Sequence, residues 1–211
     1  MTLRTRLAAV AGGIVLTLAL AACGNGEETA PQEPAAGTAS EATTESTPQT
    51  DVEEVHNDAD TMFAQMMIVH HEGAIEMADL AVEQASSEEV RSLAERIYAA
   101  QGPEIEEMTS WLEAWGEDTA PMGGMEGHGG MDMEGMSQEQ EEAMAELESL
   151  SGAEFDRRFL ELMIAHHRGA VDMAQSELDD GENPQALELA QTIIDDQQAE
   201  ITDMEELLQG L

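Results

Sequence analysis

The sequence has few of the residues that cross-link small secreted domains or bind nucleic acid. Cys23 is the single cysteine among 211 residues, which excludes a disulfide framework and a thiolate metal site within one chain. Lysine is absent, and 7 basic residues stand against 46 acidic ones, for a formal net charge of −39. A protein of that charge repels phosphate and attracts cations, so we expect no nucleic acid partner.

The N-terminus has the pattern of an export signal. Two arginines precede an apolar stretch that ends directly before Cys23. The stretch is shorter than the roughly 20 residues that span a bilayer, and small residues before a cysteine are typical of a lipobox. We predict a signal peptide over residues 1–22 and a lipid on Cys23, which places the protein outside the cytoplasm, anchored to the cell membrane at the cell surface or in the periplasm. The alternative is an uncleaved anchor helix, which also leaves the remainder outside.

The composition then changes twice along the chain. Residues 23–51 consist mainly of Glu, Thr, Ala, Pro and Ser. Without large apolar side chains such a segment cannot offset the entropy cost of ordering, so we predict a lipidated, disordered stalk. Residues 52–211 are long enough for one compact domain.

The predicted domain contains an internal repeat. Residues 63–78 return as residues 159–174 at an offset of 96 positions, and the match continues into the segments that follow. Agreement over so many positions at one offset indicates a duplication. Repeat one covers residues 58–116, a Met-, Gly- and His-rich linker covers residues 117–137, and repeat two covers residues 138–211.

Each repeat has the pattern of a helical hairpin, because apolar positions recur every three or four residues and good helix formers dominate. The predicted helices cover residues 57–85, 88–116, 138–180 and 184–209, with a break near residues 151–152 left open. Two hairpins that each present an apolar stripe bury it by pairing. The predicted fold class is therefore all-α, a four-helix bundle made of two duplicated hairpins.

Polar side chains interrupt the predicted apolar stripes at the same positions in both repeats. Steps of four and three place His70 and His166 on the stripes, while His71 and His167 lie about 100° round the helix. The helices that follow carry a glutamine and a glutamate each, namely Gln101, Glu104, Gln197 and Glu200. Buried polar groups are costly unless they are paired or hold a metal. The repeated pattern thus indicates either metal coordination or an inherited hydrogen-bond network that joins each Gln and Glu to one His-His pair.

The linker favours a metal. It places five methionines and a histidine within 15 residues, namely Met122, Met125, His128, Met131, Met133 and Met136. Thioethers select Cu(I), and imidazole binds both copper oxidation states. We therefore predict an accessory capture site for copper in this segment. The alternatives are a flexible linker that happens to be rich in methionine, or a sink for oxidants.

The spacing of the histidines does not favour hard metals or nucleophilic catalysis. Di-iron bundles use Glu-x-x-His on facing helices, and no histidine in the repeats lies three residues after a glutamate. No Ser-His or Cys-His arrangement is apparent either. These absences favour a binding protein over an enzyme.

The chain resembles a known family through one specific pattern. Met-Ile-x-His-His-x-x-Ala-x-x-Met-Ala, followed by Gln-x-x-Glu-Ile-x-x-Met, starts at Met67 and again at Met163. This pattern resembles that of the bacterial DUF305 proteins, and the resemblance covers residues 58–209. It implies a ferritin-like four-helix bundle, and it implies copper binding because some family members are periplasmic copper-binding proteins.

We predict an extracytoplasmic lipoprotein that binds copper, as Cu(I) or Cu(II), for buffering, tolerance or transfer, without catalysis. The predicted ligands are Met67, His70, His71, Met77 and Met108 in one half and Met163, His166, His167, Met173 and Met204 in the other. Glu104, Gln101, Glu200 and Gln197 would orient imidazoles or complete a Cu(II) site. Expected partners are copper ions, the membrane through the lipid, and a protein that donates or accepts copper; a homo-oligomer is left open. The alternatives are a ferritin-like metal-dependent oxidase and a metal-free envelope interaction protein.

Overall fold

The computed structural model describes residues 52–119 and 133–211. The predicted signal peptide, Cys23 and the stalk lie outside the described residues, as do Met122, Met125, His128 and Met131 of the linker. Within the described ranges, none of the helices combines the length and the apolar character needed to cross a membrane.

The described chain is all-α, as predicted. Five helices follow one another: α1 Asp58–Gln84, α2 Glu88–Trp115, α3 Met133–Glu148, α4 Ala153–Asp180 and α5 Pro184–Gly210. Helices α1 and α2 form one hairpin, α4 and α5 form the other, and α1 packs against α4 between them. The two hairpins make a four-helix bundle, and α3 lies against α1 and α4 as a fifth helix.

The third predicted helix is in fact two. Helix α3 ends where the backbone N–H groups of Ser149 and Leu150 turn back to the carbonyls of Glu146 and Leu147. Gly152 then adopts a φ of 65°, a conformation that favours glycine, directly before α4 begins. The break left open near residues 151–152 is therefore real.

The linker boundary also differs from the prediction, because α3 already begins at Met133. Residues 133–137 are thus helical rather than part of a loop. Met, Glu and Gln are good helix formers, and Met136 packs against the apolar core. These two contributions outweigh the helix-weakening effect of Gly135.

A polar layer divides the core into two apolar clusters. On α1 the first cluster ends at Ile68 and the second begins at Ala74; on α4 the division falls between Ile164 and Ala170. The first half of α1 packs with the second half of α4, so the two helices run antiparallel. The His-His pairs lie at both gaps and therefore at the same level of the bundle.

Two buried aspartates fix the hairpins to each other. Asp60 on α1 accepts a hydrogen bond from the backbone N–H of Asn183 (2.8 Å), in the turn between α4 and α5. Asp156, its counterpart 96 residues later on α4, accepts from the backbone N–H of Ser86 (2.8 Å), in the turn between α1 and α2. Each long helix thus caps the turn of the other hairpin, which sets the register of α1 against α4.

Candidate metal centre

His70 and His166 meet at the centre of the bundle. Their ring centroids are 3.6 Å apart and the rings are tilted by 40°. Each ring occupies space that a glycine leaves free on the opposite helix: a Cβ on Gly169 would lie 3.1 Å from Nε2 of His70, and a Cβ on Gly73 would lie 3.4 Å from Nε2 of His166. Only the first of these distances is shorter than an ordinary contact, so the close approach of the two rings depends mainly on Gly169.

Sequence reasoning assigned no role to these two glycines. The signal was present, since glycine inside a helix costs about 1 kcal/mol relative to alanine and both repeats keep it at the same position. A helical residue retained at that cost indicates close packing from a neighbouring element.

His71 and His167 are fully buried and point toward the second helix of their own hairpins. Nε2 of His71 lies 2.7 Å from Oε2 of Glu104, and Nε2 of His167 lies 2.7 Å from Oε2 of Glu200. A carboxylate only accepts hydrogen bonds, so Nε2 of each histidine is the donor in this contact. A His–Glu hydrogen bond of this kind occurs both in metal sites and in purely structural networks, so it does not distinguish the two predictions.

The histidines predicted on the stripe, His70 and His166, do lie between α1 and α4. His71 and His167, predicted on the flank, are more deeply buried than these two, which are partly exposed. The flank is covered because α1 and α4 each also pack against the second helix of their own hairpin.

Several polar atoms of this layer lack hydrogen-bond partners within the described ranges. They include Nδ1 of all four histidines, both amide atoms of Gln101 and the carbonyl oxygen of Gln197. The hydrogen-bond network predicted as the alternative to a metal is thus present in part. The two glutamates bond to histidines, but among the described residues the amide of Gln101 does not. Buried polar atoms without partners are costly, so the layer is suited to a bound ligand.

The histidines between the hairpins are neutral. Burial, followed by the charges of His71 and His167, lowers the pKa of His70 to about 3. Burial, followed by the charges of the other three histidines, holds the pKa of His166 well below its usual range. Neutral imidazoles bind a metal ion without first releasing a proton.

The six predicted methionine ligands are buried and fall into two groups. One cluster contains Met67, Met108 and Met173, and the other contains Met77, Met163 and Met204. The prediction had grouped Met77 with the first repeat and Met173 with the second, and that grouping was wrong. Because α1 and α4 run antiparallel, Met77 of α1 lies in the cluster with Met163 and Met204. Met173 of α4 likewise lies in the cluster with Met67 and Met108.

A groove of about 670 Å³ between α1, α3 and α4 exposes part of this layer. His70, His166, Met77 and Met173 line it, together with Met136 of α3. Its other polar lining residues are mostly acidic, namely Glu72, Glu76, Glu139 and Glu141. Imidazole and thioether donors thus lie together beneath a rim that attracts cations. His71, His167 and the other four predicted methionines do not contribute to the groove within the described residues.

The donor set fits a soft ion better than a hard one. Over residues 52–119 and 133–211, no three His, Cys, Asp or Glu side chains are grouped as a metal site. Two imidazoles with thioethers beside them provide the mixed set that suits Cu(I).

Comparison with known proteins gives relatives for nearly the whole described chain. A family model described as "Domain of unknown function (DUF305)" matches residues 60–208. A DUF305 fragment from Deinococcus radiodurans is 31% identical, with a TM-score of 0.63, over 74% of this chain and 98% of that chain. A predicted secreted DUF305 protein from Streptomyces coelicolor is 32% identical, with a TM-score of 0.62, over 72% and 91%.

The chain is also similar to CopM in its Cu(II)-bound form, with 35% identity and a TM-score of 0.58 over 72% of this chain and 96% of that chain. Structures of CopM with Cu(I) and with silver match as well. No functionally curated protein is significantly similar to the chain.

Proposed function

The chain belongs to the DUF305 family, and from that premise we propose that it binds copper in the groove between α1 and α4. The family assignment confirms the resemblance that the repeated motif predicted. Similarity to CopM, whose structures contain copper, supports a copper-related role.

One observation carries the proposal: the His70–His166 pair, whose Nδ1 atoms are buried without partners. Met77 and Met173 line the same groove. We assign these four side chains as inner ligands. His71 and His167, fixed by Glu104 and Glu200, adjoin them and are the next candidates.

The remaining predicted ligands lie deeper in the two apolar clusters. Met67 and Met163 are fully buried beside the polar layer, as are Met108 and Met204. We propose that they shape the floor of the site. The Met- and His-rich residues outside the described structure keep their proposed role in copper capture.

We propose a role in buffering or transfer rather than catalysis. A copper ion held by neutral imidazoles and thioethers binds and leaves without proton transfer to the protein. Export and a lipid on Cys23 would place this activity where copper enters the cell envelope. The oxidase alternative requires carboxylates that bridge two metals, and over residues 52–119 and 133–211 the glutamates that line the groove are not grouped as a metal site.

Anaerobic titration with Cu(I) against a chromophoric chelator tests the proposal, using the chain from residue 24 onward. We expect competition with the chelator, and a loss of at least about tenfold in affinity when His70 and His166 are both changed to alanine. His56→Ala is the matched control, because His56 stacks on Trp115 away from the groove. A wild-type chain that cannot compete with a weak chelator would support the metal-free interpretation instead.

A further inference from the structure

Among the helices that the structure describes, α3 is the one outside the two duplicated hairpins, and it lies beside the proposed site. It contributes Gly135, Met136, Ser137, Glu139, Gln140 and Glu141 to one side of the groove above His70 and His166. The bundle core is built mainly by the two hairpins, and α3 adds Leu147 to it. The first half of α3 borders the donor atoms, and its Met136 also packs against the core.

The two halves of α3 are attached differently. In the second half, Leu147 is fully buried, and Glu146 forms an ion pair with Arg158 of α4 at 2.8 Å. In the first half, Gln140 donates from Nε2 to the carbonyl of Gly73 at 2.9 Å. Leu147 therefore anchors the second half in the core, whereas the first half is held by the Gln140–Gly73 hydrogen bond and by the packing of Met136.

The contact at Gly73 lies directly beside a proposed ligand. A Cβ on Gly73 would meet Oε1 of Gln140 at 2.8 Å and Nε2 of His166 at 3.4 Å. On the opposite helix, a Cβ on Gly169 would meet His70 and no other side chain within 4 Å in the described structure. Gln140 therefore covers the site beside His166, and among the described residues no side chain takes the equivalent position beside His70.

We propose that the first half of α3 is a movable cover for the groove, which Gln140 holds closed against Gly73. The cover moves about its anchored second half, and opening of the Gln140 contact widens the groove through which an ion reaches His70 and His166. This inference rests on the proposed metal site, because it concerns access to that site. It predicts that Gln140 controls the rates of binding and release more than it controls affinity.

Stopped-flow measurement of Ag(I) binding and release by the chain from residue 24 onward tests the cover. We expect Gln140→Ala to raise both rates by roughly 3- to 10-fold, the range that loss of one hydrogen bond allows, with a smaller change in Kd. Gln138→Ala is the matched control, since Gln138 bonds only to Glu142 of the same helix among the described residues. It should leave both rates unchanged.

Hydrogen exchange of the metal-free protein provides a second measurement. Gln140→Ala should speed exchange over residues 135–142 and leave residues 144–148 as they are. Wild-type binding with unchanged rates in Gln140→Ala would overturn the cover, as would unchanged exchange. A wild-type chain that binds neither Ag(I) nor Cu(I) would instead overturn the proposed function, whatever the exchange data show.

Discussion

The ring of His70 lies over Gly169, so close that a Cβ on that glycine would be 3.1 Å from Nε2. On the other side of the bundle, a Cβ on Gly73 would lie 3.4 Å from Nε2 of His166, which is an ordinary contact distance. The approach of His70 to His166 therefore depends mainly on the absence of a side chain at Gly169. This packing links a glycine in the sequence to the geometry of the proposed ligands.

Gly169→Ala should weaken copper binding without unfolding the protein. The new methyl group displaces His70, while alanine raises helix stability by up to about 1 kcal/mol, so the two effects on folding oppose each other. We expect an affinity loss of roughly tenfold, measured by chelator competition, with a Tm within a few degrees of wild type. Gly102→Ala is the control, because nothing lies within 4 Å of a Cβ there. Equal affinities for the two variants would contradict this prediction.

The glutamates bonded to His71 and His167 should tune copper affinity. In Glu104→Gln the amide oxygen can still accept from Nε2 of His71, but the negative charge that orients and polarises the ring is lost. Changes to such supporting partners typically cost about 10- to 100-fold in metal affinity. We expect a loss toward the lower end for Glu104→Gln and the same for Glu200→Gln, in the titration used for the wild-type chain. Exposed Glu106→Gln should have no effect; if all three variants bind alike, the glutamates are structural.

Local patterns predicted much of the fold. The 96-residue offset and the spacing of apolar residues predicted the two hairpins, and the bounds of α1, α2 and α5 to within a few residues. The duplicated His-His pairs were correctly predicted to interrupt the core. These features depend on helical periodicity, which a single sequence records directly.

Features that depend on the packing of distant segments were not predicted. The exchange of Met77 and Met173 between clusters follows from the antiparallel contact of α1 with α4, and the hairpin patterns alone do not specify that direction. The caps made by Asp60 and Asp156 cross between hairpins for the same reason. Both aspartates stand at the 96-residue offset, so a search for repeated polar residues as well as apolar ones would have found them.

Loss of either crossed cap should destabilise the bundle. Asp60→Ala leaves the buried backbone N–H of Asn183 without its acceptor, and Asp156→Ala does the same for Ser86 and Ser87. Each variant should lose about 1–3 kcal/mol of unfolding free energy in a denaturant titration. The control is Asp58→Ala, an exposed residue of the same helical turn; it should lose less than about 1 kcal/mol. Similar losses in all three variants would argue against the crossed caps.

Glu177 should make the stability of the bundle depend on pH. Its side chain is 2% exposed, and burial, followed by the proximity of the Asp60 carboxylate, raises the pKa of Glu177 to about 8. The folded state therefore holds a proton that the unfolded chain, with an ordinary carboxyl pKa near 4.5, has already released at neutral pH. The contribution of Glu177 to the free energy of unfolding is fully present below about pH 4.5 and is lost as the pH rises through about 8.

Glu177→Gln tests this dependence, because glutamine imitates the protonated acid at every pH. The variant should match wild type near pH 4.5, become progressively more stable than wild type up to about pH 8, and keep a constant advantage above about pH 9, as measured by denaturant unfolding. The comparison cancels the opposite effect of His70, whose lowered pKa reduces the stability of both proteins as the pH falls below about 6.5. Glu177→Ala introduces the residue that repeat one has at the equivalent position, Ala81. This variant should show the same trend with pH. Parallel pH profiles for wild type and Glu177→Gln would mean that Glu177 is already ionised in the folded protein at neutral pH.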